Sequence, residues 1–512
     1  MNLLTDQWIP VRPLEGGTPE KITLQKLLCE DDKWDLYLSR DDMELAALQL
    51  LICITQALLT PQDADTLRKW IAKPITHQTY EAAIRPLADW FQLDHLKHPF
   101  MQVRGVHAKE TTAMDKLMAG LTGSTNSCFV NQPDIAQELC FGCTAIALFN
   151  QASCAPSFGG GFKGALRGSS PITTLVQGDH LRRTVWLNVL SNEEIQKTFP
   201  WHEDTSCQKP TWFDAIKPGE TITAQRLGFI RGLLWQPAHI ELCPSTTASI
   251  CSCCGFPTEN VFTSFKKAKF NYTMESKWPH PHSPRIISTK KGATEEKFAA
   301  FTTSAPAWTQ LARFVVQQQA SDDTAEGQQP APVILQAKKI FGEQARKLHL
   351  VVGGYRSNQA SVLERRHEVF TLNHGWDRNT DVIQHLVSTG RGYRDALYKS
   401  LFVFMNGIKE VKGAGVKLNQ AAEAQYYRRS ESTIQDALSR IGFDNPEPVL
   451  SQMRITLKYI IEELFNEAVQ PYLNDPELIR TRAVARRVLK KHVNNLEPQL
   501  DKGGIDGTTK NP

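Results

Sequence analysis

The sequence lacks both a long hydrophobic run and a strong excess of charge of either sign. Its most apolar stretch, residues 45–59, contains Gln49, Thr55 and Gln56 and is shorter than the roughly 20 residues of a membrane-spanning helix. The first ten residues have neither the basic start nor the apolar core of a signal peptide. A formal net charge of +4 is too small to indicate nucleic-acid binding by itself. We therefore expect a cytoplasmic protein without a membrane partner, in which any basic surface is local.

Familiar catalytic patterns are also missing. No Ser/His/Asp order, HExxH motif or His-Asp dyad stands out. The prolines around His280 and His282 favour an extended surface segment, so we expect no metal ligation by these two histidines. We expect a protein that is not an enzyme. The alternative is a zinc-dependent nuclease or hydrolase, with candidate residues His239, Glu241, His280 and His282.

The length and the change of pattern along the chain predict an α+β protein with more than one domain. Single cores stop growing at roughly 250 to 300 residues, whereas this chain has 512. Residues 1–370 mix short extended runs, helices and many Gly and Pro residues, which predicts a large, irregular mixed domain. Asp41 and Glu44 have the spacing of a capping box and predict a helix that begins at Asp41 and ends before Pro61.

From about residue 377 the pattern becomes almost wholly helical and predicts a C-terminal four-helix bundle in a domain of residues 371–497. The last helix has a basic face without an acid between Leu478 and His492. Such a face is either solvated or in contact with a nucleic-acid backbone or an acidic partner. Residues 498–512 are expected to form a flexible tail. The four helices are predicted near 380–410, 420–441, 446–470 and 476–496.

Two CxxC pairs form a candidate metal site, Cys140 with Cys143 and Cys251 with Cys254. Two such turns that converge on one tetrahedral ion are the usual way in which thiolates bind structural zinc. The pairs are much farther apart than in a zinc ribbon, so buried thiols without metal and a redox pair are alternatives. Eleven cysteines, an odd number, fit a reducing compartment. We expect one structural Zn²⁺ per chain.

A glycine-rich segment at 158–168 contains five glycines and the cations Lys163 and Arg167. Glycine removes the Cβ that keeps a ligand away from the backbone, and the two cations suit phosphate. No Gly-Lys-Ser/Thr ends the segment, which disfavours a nucleotide-binding loop. The segment therefore predicts close approach to a nucleic-acid groove, with a tight structural turn as the alternative.

Two later segments add cations and amides. Residues 265–272 alternate cations with aromatics, and Lys267 and Lys269 share one face if this segment is a strand. Residues 353–361 predict a glycine-led turn with amide side chains at its tip. Amides both donate and accept hydrogen bonds, as reading a base edge requires, and a hairpin or a helix cap with ordinary polar residues is the alternative.

Taken in order, many segments of this chain resemble one family. Their sequences are LLTDQWIPVRP, RDDMELAALQLL, HPFMQV, FVNQP, CTAIALFNQA, FGGGFK, LWQPAHIELC, WPHPHSP, FTTSAPAWTQ, GGYRSNQAS and LERRHEV. Together they cover nearly the whole chain and resemble the large subunit of the type I-E CRISPR Cascade, often called CasA. The resemblance implies a noncatalytic subunit of an RNA-guided surveillance complex in antiviral defence. Such a subunit recognises the protospacer-adjacent motif (PAM) of double-stranded DNA and promotes strand opening for R-loop formation.

The resemblance also implies roles for particular residues. In the family, a glycine loop, a lysine and a glutamine wedge enter the PAM duplex from the minor groove. Here the loop is Gly159, Gly160 and Gly161, the lysine is Lys269, and the wedge is Gln359 flanked by Asn358 and Ala360.

The same resemblance implies several partners. They are the other Cascade subunits, the 5′ end of the CRISPR guide RNA, the target double-stranded DNA and the helicase-nuclease that the bundle helps to recruit. Lys290 and Lys291 are candidates for holding the displaced DNA strand, with a solvated turn as the alternative. The loop toward the guide RNA and neighbouring subunits contains Phe129, Val130, Asn131 and Gln132.

Overall fold

The computed structural model describes residues 1–121, 136–290, 293–319, 326–341, 346–413 and 415–497. These residues form two compact units. Unit 1 consists of Met1–Ala307 and Arg313–Arg378, and unit 2 of Trp308–Ala312 and the chain from Asn379 onward. The boundary between the units lies a few residues after the predicted division at residue 370.

Unit 1 mixes small sheets with helices, as the α+β prediction requires. The three-stranded sheets have the orders β2-β1-β3, β4-β10-β7, β13-β12-β14 and β16-β15-β5, all antiparallel. The described strands are β1 Ile9–Pro13, β2 Glu20–Ile22, β3 Trp34–Leu36, β4 Thr112–Ala113, β5 Thr173–Val176, β6 Thr221–Ile222, β7 His239–Ser245, β8 Ser249–Ile250, β9 Pro257–Thr258, β10 Val261–Ala268, β11 Thr273–Met274, β12 Arg285–Lys290, β13 Ala293–Phe298, β14 Glu326–Gln329, β15 Leu348–Asn358 and β16 Ser361–Leu372.

The helices of unit 1 are mostly short and surround one long central helix, α2, which packs against α5 and β16. None of the helices in the described ranges is long and apolar enough to cross a membrane. The helices are α1 Leu24–Cys29, α2 Asp41–Leu58, α3 Ala64–Ala72, α4 His77–Ile84, α5 Phe141–Ser153, α6 Leu181–Leu187, α7 Asn192–Thr198, α8 His202–Thr205, α9 Phe229–Leu233, α10 Leu311–Val315, which spans the junction of the two units, and α11 Pro332–Phe341.

Helix α2 begins at the predicted residue, but its start is not a capping box. The N-cap position is Arg40, which makes no side-chain capping hydrogen bond. Glu44 Oε1 instead accepts a hydrogen bond from the backbone N–H of Leu38 at 3.3 Å. The helix is stabilised by burial, because apolar residues from Leu45 to Ile54 are inaccessible on nearly every side.

Unit 2 is a helical bundle, which confirms the predicted fold of the C-terminal region. Its helices are α12 Thr380–Lys412, α13 Leu418–Arg440, α14 Glu447–Val469 and α15 Ile479–Asn494. Helix α12 packs against each of the other three helices. Its C-cap is Gly413, with a φ of +69° that glycine adopts without steric conflict. Trp308 contributes to this core from a distant part of the chain: it is fully buried and its ring lies 6.2 Å from that of Tyr427.

Candidate nucleic-acid interface and metal centre

The glycine loop, residues 159–161, has three consecutive residues in the left-handed region of backbone conformation. The φ angles are +77° at Gly159, +56° at Gly160 and +89° at Gly161, where a side chain would cause steric conflict. Gly160 and Gly161 are exposed, and a Cβ built at Gly160 meets no protein atom within 4 Å. The loop therefore presents backbone without side chains to solvent.

Aromatic residues fix the base of the glycine loop on β10. Phe158 packs against Phe162 and against Phe265 of β10, with ring centroids 5.4 and 5.9 Å apart. Lys267 Nζ lies 5.2 Å from the Phe158 ring centroid and donates a hydrogen bond to Thr112 Oγ1 at 2.9 Å. Burial lowers the pKa of Lys267. This lysine therefore supports the loop and does not project from it.

Lys269 lies beside the glycine loop at the end of β10. Its exposed side chain donates a hydrogen bond from Nζ to the carbonyl oxygen of Gly160 at 3.1 Å. A Cβ built at Gly161 would lie 3.4 Å from the same Nζ. Because β10 is paired with β7 as far as Ala268, the lysine projects from a fixed strand end.

The tip of the β15–β16 hairpin lies at the other side of the glycine loop. Strand pairing continues to Asn358 and Ser361 and leaves a two-residue turn, Gln359 and Ala360. Both turn residues and Asn358 are exposed, and a Cβ built at Gly159 would lie 3.2 Å from Ala360 Cβ. The structure thus brings together the three features that lie far apart in the sequence.

Gln359 has a φ of +53°. Two-residue hairpin turns usually place Gly, Asn or Asp at a position with positive φ, because other side chains are strained there. An uncharged amide side chain is therefore held at a backbone position that disfavours it.

The two glycines before the hairpin tip have a different function from the predicted one. Gly353 and Gly354 lie inside β15, so the expectation that they lead a turn was wrong. A Cβ at Gly353 would lie 2.4 Å from Leu45 Cδ2, and one at Gly354 would lie 2.7 Å from the carbonyl oxygen of Pro171. The absence of side chains lets α2 and the segment before β5 approach the hairpin closely.

A buried hydrogen-bond network connects the hairpin to α2 and α5. Tyr355 Oη donates to Asp42 Oδ2 at 2.8 Å and accepts from Asn150 Nδ2 at 2.8 Å. Arg40 donates to both carboxylate oxygens of Asp42, at 2.9 and 2.6 Å. Burial alone would raise the pKa of Asp42, but the Arg40 guanidinium holds it below its usual value. Sequence reasoning missed this network because Asp42 and Tyr355 are 313 positions apart.

Arg167, a cation that the sequence suggested for phosphate binding, is buried and unavailable. It is 3% exposed, and its guanidinium donates to the carbonyl oxygen of Ser153 at 2.7 Å and to Thr173 Oγ1 at 2.8 Å. Burial lowers the pKa of Arg167. Since Ser153 precedes the glycine loop and Arg167 follows it, the hydrogen bond closes the base of the loop. Lys163, the other suggested cation, is exposed.

The histidines of the hydrolase alternative form no metal site in the described structure. His280 and His282 are 2% and 1% exposed, so the predicted surface segment was wrong. Gln49 Nε2 lies 2.9 Å from His282 Nδ1, and burial lowers the pKa of His282 to about 3. Glu241 accepts a hydrogen bond from a backbone N–H, and His239 stacks on an aromatic ring. These residues are packing and hydrogen-bonding groups.

The four predicted cysteines do converge. Cys140 and Cys143 lie at the start of α5, and Cys251 and Cys254 lie in the turn between β8 and β9. Their four sulfur atoms lie within 4.8 Å of one another, and all four residues are buried. Cys140 Sγ and Cys254 Sγ are 3.8 Å apart, close to the ~3.8 Å between ligands of a tetrahedral ion with metal–sulfur bonds of about 2.3 Å.

The chemistry of this cluster suits a closed metal shell. The backbone N–H of Cys140 donates a hydrogen bond to Cys251 Sγ at 3.3 Å. Four thiolates complete the shell of a tetrahedral ion and leave no position for a substrate. The neighbouring Cys253 is also buried but is outside the cluster. The cluster can therefore hold a metal ion that joins α5 to the β8–β9 turn.

Two groups of predicted site residues are not tested by this geometry. Phe129, Val130, Asn131 and Gln132 lie outside the described residues, as does Lys291. Lys290 is the last residue of β12.

Comparison with known proteins identifies a family and a fold. A family model for CRISPR-associated protein Cse1 matches residues 2–464. The structure of Thermobifida fusca Cse1 matches with a TM-score of 0.73 and 16% identity, over 96% of this chain and 98% of that one. Thermus thermophilus CasA (Cse1) matches with a TM-score of 0.71 and 16% identity, over 96% and 99%. A chain of a CRISPR RNA-guided surveillance complex matches with a TM-score of 0.62 and 14% identity, over 97% and 99%.

At these identities the structural matches establish the fold, and the family match extends over most of the chain. The resemblance that the sequence motifs indicated is confirmed, and the protein belongs to the CRISPR-associated Cse1 family.

Proposed function

We propose that this protein is the noncatalytic large subunit of a type I-E CRISPR RNA-guided surveillance complex, and that it recognises the PAM of double-stranded DNA. The observation that carries the proposal is the convergence of the glycine loop, Lys269 and the hairpin tip on one exposed surface of unit 1. Each of these three features is narrow, is exposed to solvent, and is attached to a strand or to a loop packed on a strand. Such features suit entry into a narrow groove better than binding of a small substrate.

The minor groove of DNA fits the size of these features. It is about 6 Å wide, so it excludes a helix but admits glycine backbone and a thin lysine or glutamine side chain. Its pattern of donors and acceptors distinguishes base pairs only partly. A protein that reads the PAM from this side therefore accepts several related sequences.

The hairpin tip has the chemistry of a wedge. Insertion of Gln359 into the first base step unstacks it at an expected cost of a few kcal/mol, which contacts to the distorted duplex offset. Pairing of the guide RNA with the opened strand then reads the rest of the target, and this division between protein and RNA is common to RNA-guided effectors.

The remaining partners follow from the same proposal. The likeness of this fold to a chain of a surveillance complex supports assembly with other Cascade subunits. The loop of Phe129, Val130, Asn131 and Gln132 would contact the 5′ end of the guide RNA, and Lys290 and Lys291 would hold the displaced strand. Unit 2 would help to recruit the helicase-nuclease that degrades the target.

Structural zinc is the metal we propose for the cysteine cluster. Four buried thiolates are typical of structural zinc sites, and the ion would bind through Cys140, Cys143, Cys251 and Cys254 without taking part in a reaction. Bound zinc would offset part of the negative charge of the thiolates and rigidly connect α5 to the β8–β9 turn. The β8–β9 turn precedes β10, so this joint helps to fix the strand from which Lys269 projects.

Duplex opening by the reconstituted complex tests the proposal. We expect Lys269→Ala, Gln359→Ala and Gly160→Ala each to lower PAM-dependent opening by about 5- to 150-fold, since one specific groove contact contributes ~1–3 kcal/mol. Opening is measured by the fluorescence of 2-aminopurine beside the PAM. Assembly with guide RNA should be unchanged, and Lys73→Ala, which alters an exposed lysine at the end of α3 that is not part of the three features, is the control. Normal opening by all three variants would refute the proposed interface.

A randomised PAM library separates recognition from general DNA affinity. Complexes with this subunit should select a small set of PAM sequences, whereas complexes without it should select none. Equal selection by both complexes would show that another subunit reads the PAM.

A further inference from the structure

Lys21, a residue of β2, lies against the cysteine cluster although no sequence motif includes it. Its Nζ donates a hydrogen bond to Cys140 Sγ at 3.4 Å and lies 5.6 Å from the centre of the Phe256 ring. The lysine side chain is half-buried. Its ammonium group is therefore held between a cluster ligand and an aromatic face.

The charge of a loaded cluster explains why a cation at this place matters. Four thiolates around a divalent ion have a net charge of about −2, and the four cysteines are at most 5% exposed. A buried charge without compensation is strongly unfavourable. The backbone N–H that donates to Cys251 Sγ supplies only a dipole, whereas Lys21 supplies a full positive charge at hydrogen-bond distance.

We propose that Lys21 is a positioning residue of the metal centre, which stabilises the loaded cluster by donating a hydrogen bond to the Cys140 thiolate and thereby slows loss of the metal. This inference rests on the zinc site of the proposed function. The hydrogen bond draws electron density from the sulfur and makes the thiolate less open to protonation or capture by a competing ligand. Groups that hydrogen-bond to metal ligands typically change metal affinity by about 10–100-fold.

Lys26 offers a matched comparison in the same segment of the chain. Its Nζ lies 5.0 Å from the centre of the Trp34 ring and 3.6 Å from Glu20 Oε2. It thus has the same partly buried setting over an aromatic ring, but the group that its ammonium contacts is a carboxylate and not a cluster sulfur. A general effect of removing a lysine from this region should appear in both variants.

The experiment measures zinc release from the purified full-length protein. Zinc-loaded wild-type protein, Lys21→Met, Lys21→Arg and Lys26→Met are mixed with excess EDTA, and the zinc that remains bound is followed over time. We expect release about 10–100-fold faster from Lys21→Met. Lys21→Arg keeps the charge and a donor, so it should release zinc nearly as slowly as wild type and Lys26→Met.

A spectroscopic signature distinguishes this role from simple loss of packing. In cobalt-loaded protein, the sulfur-to-cobalt charge-transfer band should move to lower energy in Lys21→Met, because the positive charge no longer stabilises the sulfur electrons. Lys26→Met should leave the band in place. If Lys21→Met does not fold, Lys21→Gln is compared in the same two measurements.

The outcomes separate this inference from the zinc proposal. Wild-type protein that retains no zinc overturns both. Zinc-loaded wild-type protein, with equal release rates and unshifted bands for the Lys21 and Lys26 variants, overturns the role of Lys21 alone. Faster release and a shifted band only for the neutral Lys21 variants establish it.

Discussion

Gln359 combines strain with exposure. A non-glycine residue at a φ of +53° costs about 1 kcal/mol relative to glycine, and the side chain of Gln359 is exposed, so burial does little to offset this cost. Strain of this kind persists where the surrounding structure imposes it, and it occurs often at functional sites. The well-paired β15 and β16 strands supply the constraint here.

Replacement of Gln359 by glycine and by alanine should separate strain from function. Both variants lose the amide, so both should be equally impaired in PAM-dependent duplex opening. We expect Gln359→Gly to be more stable than Gln359→Ala by up to about 1 kcal/mol, because only glycine relieves the positive φ. Urea unfolding of the isolated protein measures the stability difference. Normal opening by the glycine variant would show that the side chain is not the wedge.

At the scale of elements, the position of the hairpin depends on the network around Tyr355. Its hydroxyl is shared by Asp42 on α2 and Asn150 on α5, and α5 leads into the glycine loop. The same group therefore connects the two elements that bring Gln359 and Gly159 together. Ser170 Oγ donates to Ser357 Oγ at 2.8 Å and adds a second link near the tip.

Tyr355→Phe should lower the stability of the protein and displace the β15–β16 hairpin. Removal of the hydroxyl leaves the buried Asp42 and Asn150 groups without this partner, which costs about 1–3 kcal/mol. We expect a lower urea midpoint and reduced duplex opening, although Tyr355 is too deeply buried to touch DNA. Tyr37→Phe is the control, since Tyr37 is 42% exposed. Unchanged opening in a destabilised Tyr355→Phe variant would show that the network only stabilises the fold.

The elements also show which structural features can be predicted from local sequence patterns. The helices of unit 2 lie within a few residues of their predicted bounds, because a 3.6-residue apolar period is a local property of the chain. Convergence of the cysteines was predicted from ligand type. The family resemblance placed Lys269 and the glycine loop in the same DNA duplex, but their hydrogen bond was not predicted.

The errors share one physical origin. Gly353, Gly354, Arg167 and His282 were interpreted by local chemistry, as turn residues, a surface cation and part of a surface segment. The environment of each residue is instead set by elements that are distant in sequence. For example, Leu45 packs against Gly353, and Gln49 lies at hydrogen-bond distance from His282. Burial of this kind depends on tertiary structure, which overrides the tendency of Pro, Gly and charged residues to be exposed.

For the whole molecule, the cysteine cluster brings together segments that lie far apart in sequence. It connects the start of α5 to the β8–β9 turn, and Ser39 Oγ donates to the carbonyl of Cys253 in the same turn. Because the unfolded chain does not preform such a site, the free energy of binding the proposed metal would contribute directly to folding.

We expect about one zinc per chain in the purified protein and none in Cys140→Ser. Loss of the ion should lower the unfolding temperature of unit 1 and leave that of unit 2 nearly unchanged, because all four ligands belong to unit 1. Elemental analysis and calorimetry measure the two effects. Cys253→Ser is the matched control, as this buried neighbour is outside the cluster and should keep zinc. If purified wild-type protein contains no metal, the proposal that zinc joins these segments is wrong.

Unit 2 takes the segment Trp308–Ala312 from the middle of the chain that otherwise builds unit 1. A chimera that exchanges only the residues after Arg378 between two homologues would separate Trp308 from the helices that enclose it. An exchange of the whole bundle therefore needs three junctions, one on each side of residues 308–312 and one after Arg378, because a bundle moved without this segment would lack an indole ring of its own core.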